Sequence, residues 1–158
     1  QSGDKLLEDQ AIEAMVRELM PLADLITPNL PEAEILLQRK IPDLAAMHCA
    51  VRDLAAFGSK AVLLKGGHRK GKECIDLLYL RQEDRIITFD AEYVSTKNNH
   101  GTGCTLSSAV AAYLAHELEM EDAVRKGKEY ITQAIQAGAG YSLGHGHGPV
   151  HHFFGLWT

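Results

Sequence analysis

The chain of 158 residues has the length of one domain and can bury a sizeable core. Its formal net charge of -5, with 23% charged and 46% hydrophobic residues, argues against a general nucleic-acid or anionic-membrane binder but leaves room for a local phosphate site. Cys49, Cys74 and Cys104 form an odd set without CxxC spacing, which points away from a disulfide framework or zinc ribbon and towards a reducing, cytoplasmic setting.

No apolar run approaches the roughly 20 residues of a membrane span. Gln1 to Lys5 has no basic region followed by an apolar core, so no signal peptide is expected. The missing initiator methionine suggests a fragment.

Ile12, Met15, Val16, Leu19 and Met20 recur at helical spacing and predict one buried helix face, ended near Pro21. Ala23 to Thr27 reads as a short buried strand stopped by Pro28-Asn29. Pro31 suits the first turn of a helix from Glu32 to about Arg39, and Glu32 and Glu34 lie at its positive end. Asp43 can cap the next helix, with Leu44, Met47, Val51 and Leu54 inward and Gly58 closing it. Ala61 to Leu64 is typical of a strand covered on both faces, and two helix-then-strand repeats predict a parallel sheet with right-handed crossovers. Cys74 to Leu80 and Arg85 to Phe89 read as an antiparallel pair, followed by a short strand Tyr93-Val94-Ser95. Two helices are expected at about Thr102 to Leu118 and Glu121 to Ala137, the second with Val124, Ile131, Ala134 and Ile135 on one side. Gly144 to His152 is too glycine-rich for regular structure.

The chemistry concentrates in Asn98-Asn99-His100-Gly101-Thr102-Gly103-Cys104, a loop feeding a helix N-terminus. Unpaired N–H groups and the helix dipole favour an anion there, glycines allow close approach, and the first turn is where a thiolate is favoured. A glycine-rich helix start with a packed cysteine is the plainer alternative. Asn29 and Glu32 span a strand-to-helix turn and could hold hydrated magnesium, or could simply cap the helix. Gly66 to Glu73 nearly spells a Walker A loop, but Glu73 stands where Ser/Thr should bind magnesium and a strand follows, so it is rejected as one. His68, Arg69, Lys70 and Lys72 read as a solvated turn, whereas Lys65 lies at a strand end where open sheets place ligands. His145, His147, His151 and His152 alternate with glycine without preformed metal geometry, and a structural cap is expected; Cys49 and Cys74 are expected to be packed.

Asn98 to Ser108, Ile26 to Ala33, Leu64 to His68 and Gly144 to Phe153 together closely resemble the bacterial hydroxymethylpyrimidine/phosphomethylpyrimidine kinases of thiamine biosynthesis, in the ribokinase superfamily. The resemblance covers nearly the whole chain in order and spacing. It implies an α/β, ribokinase-like three-layer sandwich with a mostly parallel central sheet. The chain would be the C-terminal portion of one kinase domain over 1–158, with the N-terminal part, including an Ala-Gly-Ser-Asp-type pyrimidine loop, missing apart from Ser2-Gly3-Asp4-Lys5.

It further implies ATP- and Mg2+-dependent phosphorylation of 4-amino-5-hydroxymethyl-2-methylpyrimidine and then of its monophosphate. Gly101, Thr102, Gly103 and Cys104 would form the catalytic turn, with Cys104 as base where most relatives have aspartate. Asn29, Lys65, Gly67 and Thr102 would serve the nucleotide, and Glu32 the metal. Asn99 departs from the threonine often seen there. A small-molecule pyrimidine partner, no nucleic acid, no membrane and a homodimer of the intact enzyme are expected. A pyridoxal-type kinase of the same fold and a non-catalytic binding or assembly domain are the competing readings.

Overall fold

The computed structural model describes residues 9–67 and 73–157, which fall into two units, one ending at Glu92 and one beginning at Tyr93. In the first, helix α1 spans Asp9–Ala14 and opens into a wider π turn, Met15–Leu19, in which the Met20 N–H reaches back to Met15 O. A tight 3-10 turn, Met20–Leu22, follows at Pro21. The wide turn shifts the helical register. Leu19, expected inward, is therefore 61% exposed, whereas Met20 is 5% exposed.

Strand β1 is only Leu25–Ile26, shorter than Ala23 to Thr27, because Pro28 has no N–H to donate to a ladder. Its carbonyl still accepts from Lys65 N–H at 2.9 Å, and Asn29 bridges Lys65 in parallel. Helix α2, Leu30–Leu37, starts earlier than expected, with Pro31 in its first turn, and closes on Gln38 in the left-handed region (φ 51°). Asp43 caps helix α3, Leu44–Ala55, by accepting from Ala46 N–H at 2.7 Å. Met47, Val51 and Leu54 are fully buried, whereas Leu44 in the first turn is 37% exposed. Cys49 faces solvent, against the packed role expected of it, and Cys74 is half-buried.

Strands β2 (Ala61–Lys65), β3 (Glu73–Leu80) and β4 (Arg85–Glu92) complete a sheet of order β1-β2-β3-β4. The parallel pairing expected is present between β1 and β2, with Leu25 opposite Ala61. Both β2–β3 and β3–β4 are antiparallel, so the sheet within this chain is mixed and not mostly parallel. The physical reason is that the connections 66–72 and 81–84 are both too short for the crossover of about a dozen residues that a parallel pair needs. β4 runs on to pair Glu92 with Glu73. The described ladder ends there, and Tyr93-Val94-Ser95, expected to be a short strand, form none.

Helices α2 and α3 pack on the sheet through Ala33, Met47, Val51 and Leu54 against Val62, Leu64, Leu77 and Tyr79. Leu63 and Leu78, pointing the other way, are also fully buried, as expected for strands covered on both faces. Burying each such Leu contributes about 1.5–3 kcal/mol.

The second unit holds helices α4, Thr102–Ala115, and α5, Met120–Gly138. α4 stops short of Leu118 because Glu117 turns left-handed (φ 62°) and Leu118 N–H closes on Tyr113 O at 3.2 Å. Leu106 and Val110 of α4 meet α5 at Gly127. Val124, Ile131 and Ala134 form the buried face of α5, with Ile135 half-buried.

Candidate functional site

The turn before α4 depends on Gly101, whose φ of 83° and ψ of 0° lie in the left-handed region, where a side chain would be strained. The reversal sends the chain directly into the helix without a side-chain cap. Thr102 N–H and Oγ1 both return to Asn99 O, at 3.3 and 2.7 Å. The first regular helical bond is Thr105 N–H to Gly101 O at 2.8 Å. Gly103 and Cys104 N–H therefore have no acceptor among the described residues, and they lie at the positive end of a helix of 14 residues.

The Cys104 side chain is exposed. It lines a groove of about 660 Å³ together with Thr105, Ser108, Ala112, Tyr130 and His152. Two unclaimed amides on one helical turn can neutralise an anion, and the Cys104 sulfur, in its thiolate form, can accept a proton beside it.

The His-rich segment is tied to this turn. His100 N–H donates to Gly148 O at 3.0 Å and Val150 N–H to His100 O at 3.4 Å. Thr105 Oγ1 lies 2.9 Å from His152 Nε2, and Tyr130 OH donates to His152 O at 2.8 Å. His147 Nδ1 lies 3.2 Å from Asn99 Oδ1, and His151 packs between Tyr141 and Trp157. No group of three or more His, Cys, Asp or Glu side chains able to hold a metal occurs among the described residues. His147, His151 and His152 thus contact the turn or its neighbours, and His145 is exposed.

The other expected residues meet in the first unit. Asn29 and Glu32 form a reciprocal capping box: Asn29 Oδ1 accepts from Glu32 N–H at 2.8 Å, and Glu32 Oε2 accepts from Asn29 N–H at 2.7 Å. The Asn29–Lys65 bridge brings this turn to the end of β2. Glu32 Oε1 has no partner among the described residues, and the side chain is exposed. One such carboxylate oxygen fits hydrated magnesium, which takes one or two carboxylates with water and phosphate oxygens.

Gly66 N–H donates to buried Asp76 Oδ1 at 2.9 Å, and a Cβ on Gly67 would meet none of the described residues within 4 Å. His68, Arg69, Lys70 and Lys72 lie outside the described residues, as do Ser2 to Lys5.

The sequence pattern assigns no role to Asn98 within the motif. Asn98 is the buried polar group of the second unit, its Nδ2 donating to Gly138 O and Tyr141 O at 2.7 Å each. These partners lie some forty residues away in sequence. The one available signal was an amide side chain placed three residues ahead of the turn.

The family profile described as phosphomethylpyrimidine kinase matches residues 1–151. A hydroxymethylpyrimidine/phosphomethylpyrimidine kinase of Rhizobium meliloti is 44% identical over 157 residues, covering 99% of this chain and 58% of that protein. The Bacillus subtilis pyridoxal kinase solved as an ADP complex superposes with a TM-score of 0.86 at 32% identity, over 97% of this chain and 56% of that one. A phosphomethylpyrimidine kinase of Clostridium difficile gives a TM-score of 0.69 at 38% identity, over 85% of this chain and 53% of that one. The chain thus spans little more than half the length of the proteins it matches. The fold is that of the ribokinase-like pyridoxal and phosphomethylpyrimidine kinases, and the chain belongs to the phosphomethylpyrimidine kinase family.

Proposed function

We propose that the chain is the C-terminal portion of a single ribokinase-like kinase domain and carries its phosphoryl-transfer machinery. The reaction is transfer from ATP to 4-amino-5-hydroxymethyl-2-methylpyrimidine and then to its monophosphate. The observation that carries this reading is the Gly101 reversal, which leaves the Gly103 and Cys104 amides unclaimed beside an exposed thiol. Family membership and the ADP complex of a similar pyridoxal kinase support the nucleotide and the substrate class.

In the first reaction Cys104 Sγ, as a thiolate, takes the proton of the hydroxymethyl group and becomes a thiol, while the hydroxymethyl oxygen bonds to the γ-phosphorus and the bond to the leaving ADP oxygen breaks. Gly103 and Cys104 N–H donate to the oxygens of the moving phosphoryl group, with Gly101 and Thr102 holding their geometry. In the second reaction the acceptor is already a phosphate oxygen, so placement matters more than the base. Asn29, Lys65 and Gly67 serve the nucleotide at the strand end. Glu32 would hold hydrated magnesium, which when bound offsets phosphate charge. By family resemblance, the intact enzyme is read as a cytoplasmic homodimer. No helix among the described residues is long and apolar enough to cross a membrane.

Cys104→Ala in the full-length enzyme is expected to slow phosphorylation of the free alcohol by about 10² to 10⁴. Wild-type turnover would remove Cys104 from the mechanism. The superposition on pyridoxal kinases favours a second reading, phosphorylation of pyridoxal on the same site. Parallel turnover assays with the pyrimidine and with pyridoxal decide between them. Calorimetry with Mg-ATP tests the third alternative, a non-catalytic module, which should bind no nucleotide in a magnesium-dependent way.

A further inference from the structure

Resting on the kinase reading above, we propose that Asn98 is the positioning residue of the Gly101 to Cys104 turn, acting through an interlock with Gly148. Asn98 is 1% exposed. Its Nδ2 makes two hydrogen bonds of 2.7 Å to carbonyls at the end of α5, Gly138 O and Tyr141 O. Its own N–H donates to Thr96 Oγ1 at 3.0 Å, and Thr96 Oγ1 donates in turn to Ala139 O at 3.3 Å. Residues 96 to 98 are thus anchored to one end of one helix.

The other side of the amide faces Gly148. Asn98 Oδ1 is buried with no hydrogen-bond partner among the described residues. A Cβ built on Gly148 would lie 2.1 Å from that oxygen and 2.8 Å from Asn98 Cγ, and the three atoms nearest to it all belong to Asn98. Only a bare α-carbon fits against this side chain. Gly148 O is also the acceptor for His100 N–H.

The amide therefore fixes the chain at residue 98, and the glycine it presses on fixes the chain at residue 100, one residue before the left-handed Gly101. The unclaimed Gly103 and Cys104 N–H groups follow within one turn. A shift at residues 98 to 100 is carried into their direction, and misplacement of about 1 Å costs about 10²-fold in rate. A capping or packing role alone would not require residues 98 and 148 to be coupled in turnover.

The test is a double-mutant cycle in the full-length enzyme, read as kcat per folded molecule with Mg-ATP and the hydroxymethylpyrimidine. Asn98→Ala and Gly148→Ala should each lower kcat by about 10- to 100-fold, with KM for the pyrimidine changed by less than about 3-fold. The double variant should be no slower than Asn98→Ala alone, within about 2-fold, because the oxygen that Cβ meets is gone. Val124→Ala, a buried truncation of α5 away from the turn, serves as the stability control. It should lower Tm and leave kcat per folded molecule unchanged.

Multiplicative losses in the double variant, or an Asn98→Ala enzyme within 2-fold of wild type, overturn the interlock and leave the kinase reading standing. A wild-type enzyme that phosphorylates no pyrimidine overturns both.

Discussion

Gly66 and Gly67 are adjacent in sequence, yet the structure gives them opposite consequences on substitution. A Cβ on Gly66 would lie 2.1 Å from Ile75 O and 3.0 Å from Met47 Cε. The first contact is with backbone on the paired strand, so relief requires β2 and β3 to part near Lys65 and Asp76, which face each other in the ladder. Overpacking of this kind costs about 1–3 kcal/mol, and losing the hydrogen bond from Gly66 N–H to the buried Asp76 carboxylate costs about 1.5–3 kcal/mol. Gly66→Ala is therefore expected to destabilise the full-length enzyme by about 2.5–6 kcal/mol, a large share of a stability of about 5–15 kcal/mol. Among the described residues, a Cβ on Gly67 meets nothing within 4 Å. Gly67→Ala should leave the unfolding midpoint in place and, if the space holds nucleotide, raise KM for Mg-ATP. Urea unfolding and initial rates measure the pair. A Gly66→Ala midpoint within about 0.5 kcal/mol of wild type would refute the steric argument.

Three further outcomes follow from the first unit. Asn29→Ala removes the acceptor for Glu32 N–H and should cost about 0.5–2 kcal/mol by chemical denaturation. Glu32→Gln keeps an oxygen for Asn29 N–H but loses the charge, so the magnesium needed for half-maximal rate should rise while Tm holds; an unchanged magnesium titration would remove Glu32 from the metal site. Glu34 accepts from Lys40 Nζ at 2.7 Å and Ile41 N–H at 2.9 Å, and these bonds hold its carboxyl below the ordinary 4.5. A lowered folded-state value means the contribution is present above the unfolded value and is lost as pH falls through the folded one. The stability difference between wild type and Glu34→Gln should accordingly shrink below about pH 4.5, and a difference that grows on acidification would contradict the sign.

The first unit was legible where local rules act alone. Asp43 capping α3, Pro31 opening α2, the all-buried Ala61 to Leu64 and the β3–β4 pair all follow from residue chemistry within a few positions. Leu19 was misread because one extra residue in a wide turn rotates every later side chain, and periodicity assumes a constant turn. Antiparallel β2–β3 pairing was missed, although the connection 66–72 is too short for a parallel crossover of about a dozen residues. In the second unit the Gly101 turn stood out by composition, but Asn98, Gly148 and the Thr105–His152 contact depend on pairings some forty to fifty residues apart that no local pattern encodes.

The β3–β4 hairpin bears on the order in which the first unit assembles. Eight residue pairs, from Leu80 opposite Arg85 outwards to Glu73 opposite Glu92, close around the short turn Arg81–Glu83, with Asp84 left-handed at φ 46°. Closing so small a loop costs little chain entropy, and hairpins form in about 1–10 μs. The parallel β1–β2 seam cannot form until everything from Leu25 to Ala61 is gathered in, and it gains only two ladder positions when it does. The hairpin is thus expected to template the docking of β2, with β1 the last of the four strands described to be added and the first to be released. Native-state amide exchange should rank them in that order, with Leu77 and Leu78 slowest and Ile26 fastest among the strand residues.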